Sequence, residues 1–324
     1  MNLGIVILNW NGEKLLRKFL PSLIKFTPIK HNIYIIDNGS DDNSIEFVEN
    51  NYSRIKIIKL DINYGYARGY NIGLKKINDE ILCLLNNDIE VTKNWTDNIL
   101  KQFDLEPKTA VIQPKLKNYF KKSEFDYAGA AGGFLDKYGY PYCKGRIYNK
   151  IEKDRGQYDK ISDIFWACGA CFFIRKKVFD FHNGFDERFW AHMEEIDLCW
   201  RIQNSKYNIR FNPNVEVFHA NAATLSHKNP KKTYLNFRNQ LFMITKNSQN
   251  NLLFILIEKL FIDIIISVYL LFDKGFKHFK AIIKAYVSFY RNINQFIDFR
   301  RKNKRVTKHY QIGSIILKYL FYKR

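Results

Sequence analysis

A chain of 324 residues can bury one large core and still carry an appendage, and its formal charge of +20 is uneven: about +12 falls on the residues from Asp273 onward, leaving +8 for the rest. The five cysteines are odd in number, and three lie in apolar or aromatic surroundings, which excludes a secreted disulfide framework and fits a reducing cytosol. The first residues hold no basic segment followed by an apolar stretch and a cleavage site, so the sequence predicts no export.

Residues 4–8 read as a strand, followed by a helix over about 12–26, a strand at 33–36, a helix near 44–50, a strand at 55–58, a helix near 67–77 and a strand at 81–85. Alternation at this period predicts a doubly wound, mostly parallel sheet, with ligands beyond the carboxyl ends of its strands. Three motifs fall at such ends. Asn9-Trp10-Asn11-Gly12 and Asp37-Asn38-Gly39-Ser40 are ordinary turn sequences that also suit the lining of a nucleotide pocket, with Asp37 as an acceptor for a base N–H or a ribose hydroxyl. Asn86-Asn87-Asp88, closing the wholly apolar strand at 81–85, puts one carboxylate and two amides where a divalent metal fits. Between them Gly65, Gly69 and Gly73 recur every fourth residue, a smooth packing face that leaves Arg68 and Asn71 free to point elsewhere, with Arg68 near a helix start placed to meet a phosphate.

Residues 115–162 are rich in Tyr, Gly, Lys and Asp without a sustained period, and read as an irregular acceptor-side insertion. Order resumes with a strand at 170–174, a short helix, a helix over 194–202 and a strand at 215–218. On the 194–202 helix Asp197 and Arg201 are spaced for an ion pair, Leu198 and Cys199 for the core, and either Glu194 or Glu195 for a cleft where burial raises a carboxyl toward general-base duty. His219 follows a strand as Asp88 does, which makes it a candidate metal ligand, with a plain hydrogen-bonding role as the alternative. Cys168 and Cys171 have no second pair and are read as structural. Residues 252–272 are long enough to span a bilayer, but Glu258, Lys259 and Asp263 favour an interfacial or core-packed helix; the basic, aromatic residues after it suit either anionic lipid or a solvated bundle.

Taken in order, these segments resemble glycosyltransferase family 2, in its bacterial rhamnosyltransferase-like branch. The resemblance runs from Gly4 to about Lys246 and includes Gly184-Phe185-Asp186-Glu187-Arg188-Phe189 and Arg238-Asn239. It implies a GT-A fold over residues 1–248, with a nucleotide-sugar half at 1–114 and an acceptor half at 115–248, and a helical, basic, membrane-associating region at 249–324. It implies a Mg²⁺ or Mn²⁺ ion at the position of the family's Asp-x-Asp, here Asn86-Asn87-Asp88, with His219 as second ligand. The family's acceptor-activating Glu-Asp pair falls on Glu194-Glu195, which makes Glu195 the general base. Asn9, Asp37, Asn38, Arg68, Asn71, Asn86 and Asn87 are then the donor side, and Trp190 and His192 border the acceptor.

The expected reaction is inverting transfer of a sugar, rhamnose among the candidates, from a nucleoside-diphosphate donor to a hydroxyl of a lipid-linked glycan at the inner face of the cytoplasmic membrane. A sugar nucleotidyltransferase is the first rival, but the turn after the first strand lacks its cationic Gly-rich loop. A nucleic-acid-binding protein would explain the charge, yet no recognised module is present, and no nucleic acid is expected as a partner.

Overall fold

The computed structural model describes residues 1–147, 150–222, 229–316 and 318. Its first half alternates β1 (Leu3–Asn9), α1 (Glu13–Phe26), β2 (Asn32–Asn38), α2 (Ser44–Asn51), β3 (Ile55–Leu60), α3 (Gly65–Leu74) and β4 (Ile81–Leu85). Apolar spacing sets these elements. Helix α1 buries Leu16, Phe19, Leu20 and Leu23, one stripe at helical period, while every residue of β4 is buried, as a central strand requires.

The chain continues through β5 (Ile89–Val91), α4 (Asp97–Leu105), β6 (Thr109–Asn118), β7 (Gly133–Leu135), β8 (Pro141–Cys143), β9 (Arg146–Ile147), β10 (Lys150–Ile151), β11 (Ser162–Asp163), β12 (Cys171–Arg175), α5 (Lys176–Phe181), a 3-10 turn Glu187–Phe189, α6 (Glu194–Asn204) and β13 (Asn208–His219). The main sheet has the order β11-β13-β6-β12-β4-β1-β2-β3, with β5 on β13. Its mutual pairings make β1, β2, β3, β4, β6 and β13 point one way and β5, β11 and β12 the other, so the sheet is mixed but mostly parallel. From β1 to β3 the chain steps outward, then returns past β1 to β4. Right-handed crossovers therefore put α1 and α2 on one face and α3 on the other, with the switch point between β1 and β4.

One expectation is corrected. Residues 115–162 are not irregular: β6 runs into them, and β7 to β10 form a separate four-stranded antiparallel sheet, so a boundary between 114 and 115 would cut β6 in its middle. Strands of two or three residues leave no period to read. The C-terminal region is helical. Helices α7 (Pro230–Asn247), α8 (Leu252–Lys274) and α9 (Phe276–Lys302) pack together, with Phe296 stacked on Phe242 at 3.9 Å. Beyond them the chain returns to the small sheet, where Lys137 donates its N–H to the carbonyls of Ile312 and Gly313, and Ile315 donates to Asp136. Within the 249–324 region, residues 317 and 319–324 lie outside the described residues.

Helix α8 is inverted. It buries Lys259, Asp263 and Ser267 against the protein and leaves Leu253, Phe254, Phe261, Ile265 and Phe272 exposed. Lys259 is held by Gln240 (3.0 Å) and Asp263 (3.3 Å) over the ring of Tyr140, and Asp263 also accepts from Tyr140 and Tyr286. Lys259 and Asp263, four residues apart on one helix face, are thus a packed-in pair. Among the described residues no helix is long and apolar enough to cross a membrane.

Candidate active site

The ends of β1, β2 and β4 lie side by side, which brings Asn9, Asp37 and the 86–88 segment together. Buried Asn9 donates to Ser44 Oγ at 3.0 Å and accepts from Asn87 Nδ2 at 3.0 Å. Gly12 is the residue this needs, because a Cβ there would stand 2.2 Å from Asn9 Oδ1 and 2.4 Å from Asn87 Nδ2. Asn38 donates to Asn63 and Gly65 and accepts from the N–H of Tyr64; Asn71 bonds both ways to Phe185 and donates to Glu187. The amides of Asn9, Asn38, Asn71 and Asn87 are thereby committed to the protein. They brace the walls of the site. Asp37 differs: its Oδ2 accepts from the Ser40 N–H, while its buried Oδ1 has no partner among the described residues. Arg68 is half exposed, over the Tyr64 ring and 3.7 Å from Glu187.

Asp88 is wholly buried; its Oδ2 accepts from the N–H of Ala222 at 2.7 Å, and its Oδ1 lies 3.3 Å from His219 Nε2. Two neighbouring ligands on a small octahedral cation, each about 2.1 Å from it, stand roughly 3 Å apart, so this pair fits a divalent ion. On its other side His219 Nδ1 meets Asp126 Oδ2 at 3.1 Å, the carboxylate backing that fixes the tautomer of a metal-binding histidine. Burial alone would depress the imidazole, but Asp126 and Asp88 outweigh it and carry its pKa to about 10, so a metal binding there would have to displace the Nε2 proton. Among the described residues no cluster of three His, Cys, Asp or Glu side chains forms a complete metal cage; substrate oxygens would have to complete the shell. Sequence reasoning missed Asp126. An antiparallel bridge from Lys117 to Phe125 folds it back along β6, while β13 pairs with β6 to bring His219 beside it.

The acceptor side is reached through the 168–170 turn. The N–H of Asn86 donates to Ala170 O at 2.9 Å, and the Tyr66 hydroxyl donates to Gly169 O at 2.9 Å. A Cβ at Gly169 would lie 3.9 Å from the carboxyl carbon of Glu195, so one turn separates that acid from the 86–88 segment. Glu194 and Glu195 open α6, and each keeps one carboxylate oxygen without a partner among the described residues. A helix N-terminus lowers a carboxyl pKa; burial wins here. It lifts Glu195 to about 7 against backbone donors that include Gly169, and with the neighbouring Glu195 charge it pushes Glu194 well above the usual carboxylate range.

Trp190, His192 and Met193 have φ of 63°, 69° and 72°, a left-handed run that non-glycine residues rarely adopt. Asn239 of α7 holds it by donating to the carbonyls of Phe189, Ala191 and His192, while Arg238 donates to those of Arg188 and Phe189. Trp190 lies against Gly65 at the start of α3, under Lys231 at 4.1 Å. Asp197 is buried with Arg201, Lys246 and Asn247, each at 2.8 Å, so the expected ion pair is one edge of a network that ties α6 to α7. All five cysteines are free and buried.

The model of glycosyl transferase family 2 matches residues 4–182. The chain is similar to the N-acetylglucosaminyl-diphospho-decaprenol L-rhamnosyltransferase of Mycobacterium tuberculosis, 21% identical over 235 residues that cover 68% of this chain and 76% of the relative. It is also similar to rhamnosyltransferase WbbL of Escherichia coli, 24% identical over 231 residues, 67% of this chain and 81% of that one. Among solved structures, GalNAc-T7 with UDP, GalNAc and Mn²⁺ superposes with a TM-score of 0.61 at 17% identity, covering 77% of this chain and 48% of that one. The mannosyltransferase PcManGT of Pyrobaculum calidifontis, with GDP-Man and Mn²⁺, gives 0.54 at 11% identity, covering 90% and 75%. At such identities the likeness carries the fold alone.

Proposed function

The chain belongs to glycosyl transferase family 2 and is a glycosyltransferase of GT-A fold; from that premise we propose an inverting sugar transfer, with rhamnose the first candidate, from a nucleoside diphosphate to a hydroxyl of a lipid-linked glycan. The observation that carries the mechanism is the arrangement around one turn: the carboxylate of Glu195, lifted to about 7, beside Gly169, and Asn86 bonded to Ala170 on the other side. In the proposed step Glu195 takes the proton of the acceptor hydroxyl. The bond from that oxygen to the anomeric carbon forms as the bond to the diphosphate oxygen breaks, the configuration inverts, and the nucleoside diphosphate departs. Asp37 receives a ribose or base donor, and the strained 190–193 segment shapes the acceptor wall.

Asp88 and His219 are the residues that would hold a Mg²⁺ or Mn²⁺ ion, whose contribution there is neutralisation of diphosphate charge. The amide at Asn86, in place of an acid, leaves fewer anionic ligands, so weaker metal retention is expected. Relatives named for rhamnosyl transfer and for a decaprenol-linked acceptor support the substrate class, and the outward apolar face of α8 supports work at the cytoplasmic membrane surface. A panel of nucleotide sugars screened by calorimetry with Mn²⁺, followed by product analysis, tests the reading. Release of a nucleoside diphosphate and an inverted anomeric centre are expected; release of pyrophosphate overturns it.

A further inference from the structure

A groove of about 880 Å³ runs between α7 and α9, away from Asp88 and Glu195. Ile283 and Val287 give it apolar walls, and Lys231, Lys277, Lys280, Lys284 and Arg291 stand around it with no Asp or Glu among its described lining residues. On α9 these cations recur at helical spacing along one face, and like charges three and four residues apart repel. Nothing in the groove offsets that repulsion, so its charge calls for an anion. Its position couples it to the acceptor side: the Lys231 ammonium sits 4.1 Å over Trp190, which leads into the turn that presents Glu194 and Glu195. Its other boundary is membrane-side. Helix α9 packs on α8, whose outward face is apolar from Leu253 to Phe272.

We propose that this groove binds the diphosphate and the first alkyl units of the lipid-linked acceptor, holding the lipid beside the membrane while the sugar reaches Glu195. The inference rests on the lipid-linked reading above and extends it to a particular site. A diphosphate concentrates charge that five cations match. A bulk phospholipid headgroup brings one phosphate, and the alkyl chain accounts for the half-exposed Ile283 and Val287.

The test uses the full chain with EDTA present, so that a diphosphate cannot enter through metal at Asp88. Farnesyl diphosphate is the probe, compared with inorganic pyrophosphate and with phosphatidylcholine vesicles carrying phosphatidylglycerol. Farnesyl diphosphate is expected to bind more tightly than pyrophosphate, and the double variant Lys280→Glu/Lys284→Glu to weaken it about tenfold or more, as surface lysines facing phosphate do. The same variant should keep its melting temperature and its nucleoside-diphosphate affinity measured with Mn²⁺. Unchanged probe binding in the variant or equal binding of pyrophosphate overturns the proposal, as does a variant defect confined to vesicle binding. Failure of the transferase reading would look different: no nucleotide sugar bound, with farnesyl diphosphate binding intact.

Discussion

Glu195 stands where burial and a helix N-terminus oppose each other, and burial prevails, lifting its carboxyl to about 7. As a base it must be ionised, so kcat/KM is expected to rise with pH through about 7 and then level, and Glu195→Gln should lose that limb and about 10²–10⁴-fold in turnover while donor affinity holds. The stability effect has the opposite sign. A carboxyl whose folded pKa exceeds its unfolded one favours the folded state at low pH and loses that contribution as pH rises from 4.5 through about 7, so Glu195→Gln should melt higher than wild type at pH 8 and not at pH 4. Melting curves at the two values check it. A second prediction concerns the residue that the sequence hid. Asp126→Asn keeps the shape but removes the charge that backs His219, and Mn²⁺ affinity by titration should fall about 10–100-fold. Asp88 could be singled out because it follows a wholly apolar strand, whereas periodicity left Glu194 and Glu195 open and only the resemblance chose between them. Asp126 could not, since only pairing between β6 and β13 brings it to His219.

Elements that announce themselves by period were legible, and those made by distant pairing were not. Strands β1 to β4 and their helices form repeated crossovers whose apolar runs identify each piece, so their order followed from the chain. Strand β12 was legible as a strand, but its running against β4 was not, and the β7 to β10 sheet consists of strands of two or three residues too short to carry a local signature. The glycine repeat of α3 was readable as packing, and a Cβ at Gly73 would stand 2.2 Å from Ile36 Cδ1. Gly73→Ala should therefore cost about 1–3 kcal/mol in denaturant titration, with overpacking as the cause. Arg238-Asn239 in α7 carried a resemblance without a reason, and the reason is the strained segment it clamps. Asn239→Ala leaves three loop carbonyls without its amide. It should cost about 1–3 kcal/mol in stability and lower kcat by more than that stability loss explains, because the 190–193 turn that leads into Glu195 is then free to relax.

At the scale of the whole molecule the charge pattern of the C-terminal region has two halves with different duties. Lys259 and Asp263 interrupt an apolar run in the sequence, yet they are the side that faces the protein, and the uninterrupted apolar side is the one left open. A helix that turns Lys259 and Asp263 inward and shows Phe254, Phe261, Ile265 and Phe272 suits a lipid surface in the plane of the membrane. Deleting everything after Asn250 would be a poor test, because α9 stacks Phe296 on Phe242 of the catalytic half and the loss would unfold α7. Substituting outward residues avoids this. Each large apolar side chain moved into lipid contributes about 1.5–3 kcal/mol at full burial, so Phe261→Ser with Phe272→Ser should lower partitioning onto anionic vesicles by about tenfold or more at unchanged melting temperature. Vesicle flotation at low salt reads the effect, and equal flotation of variant and wild type would leave α8 without a membrane role.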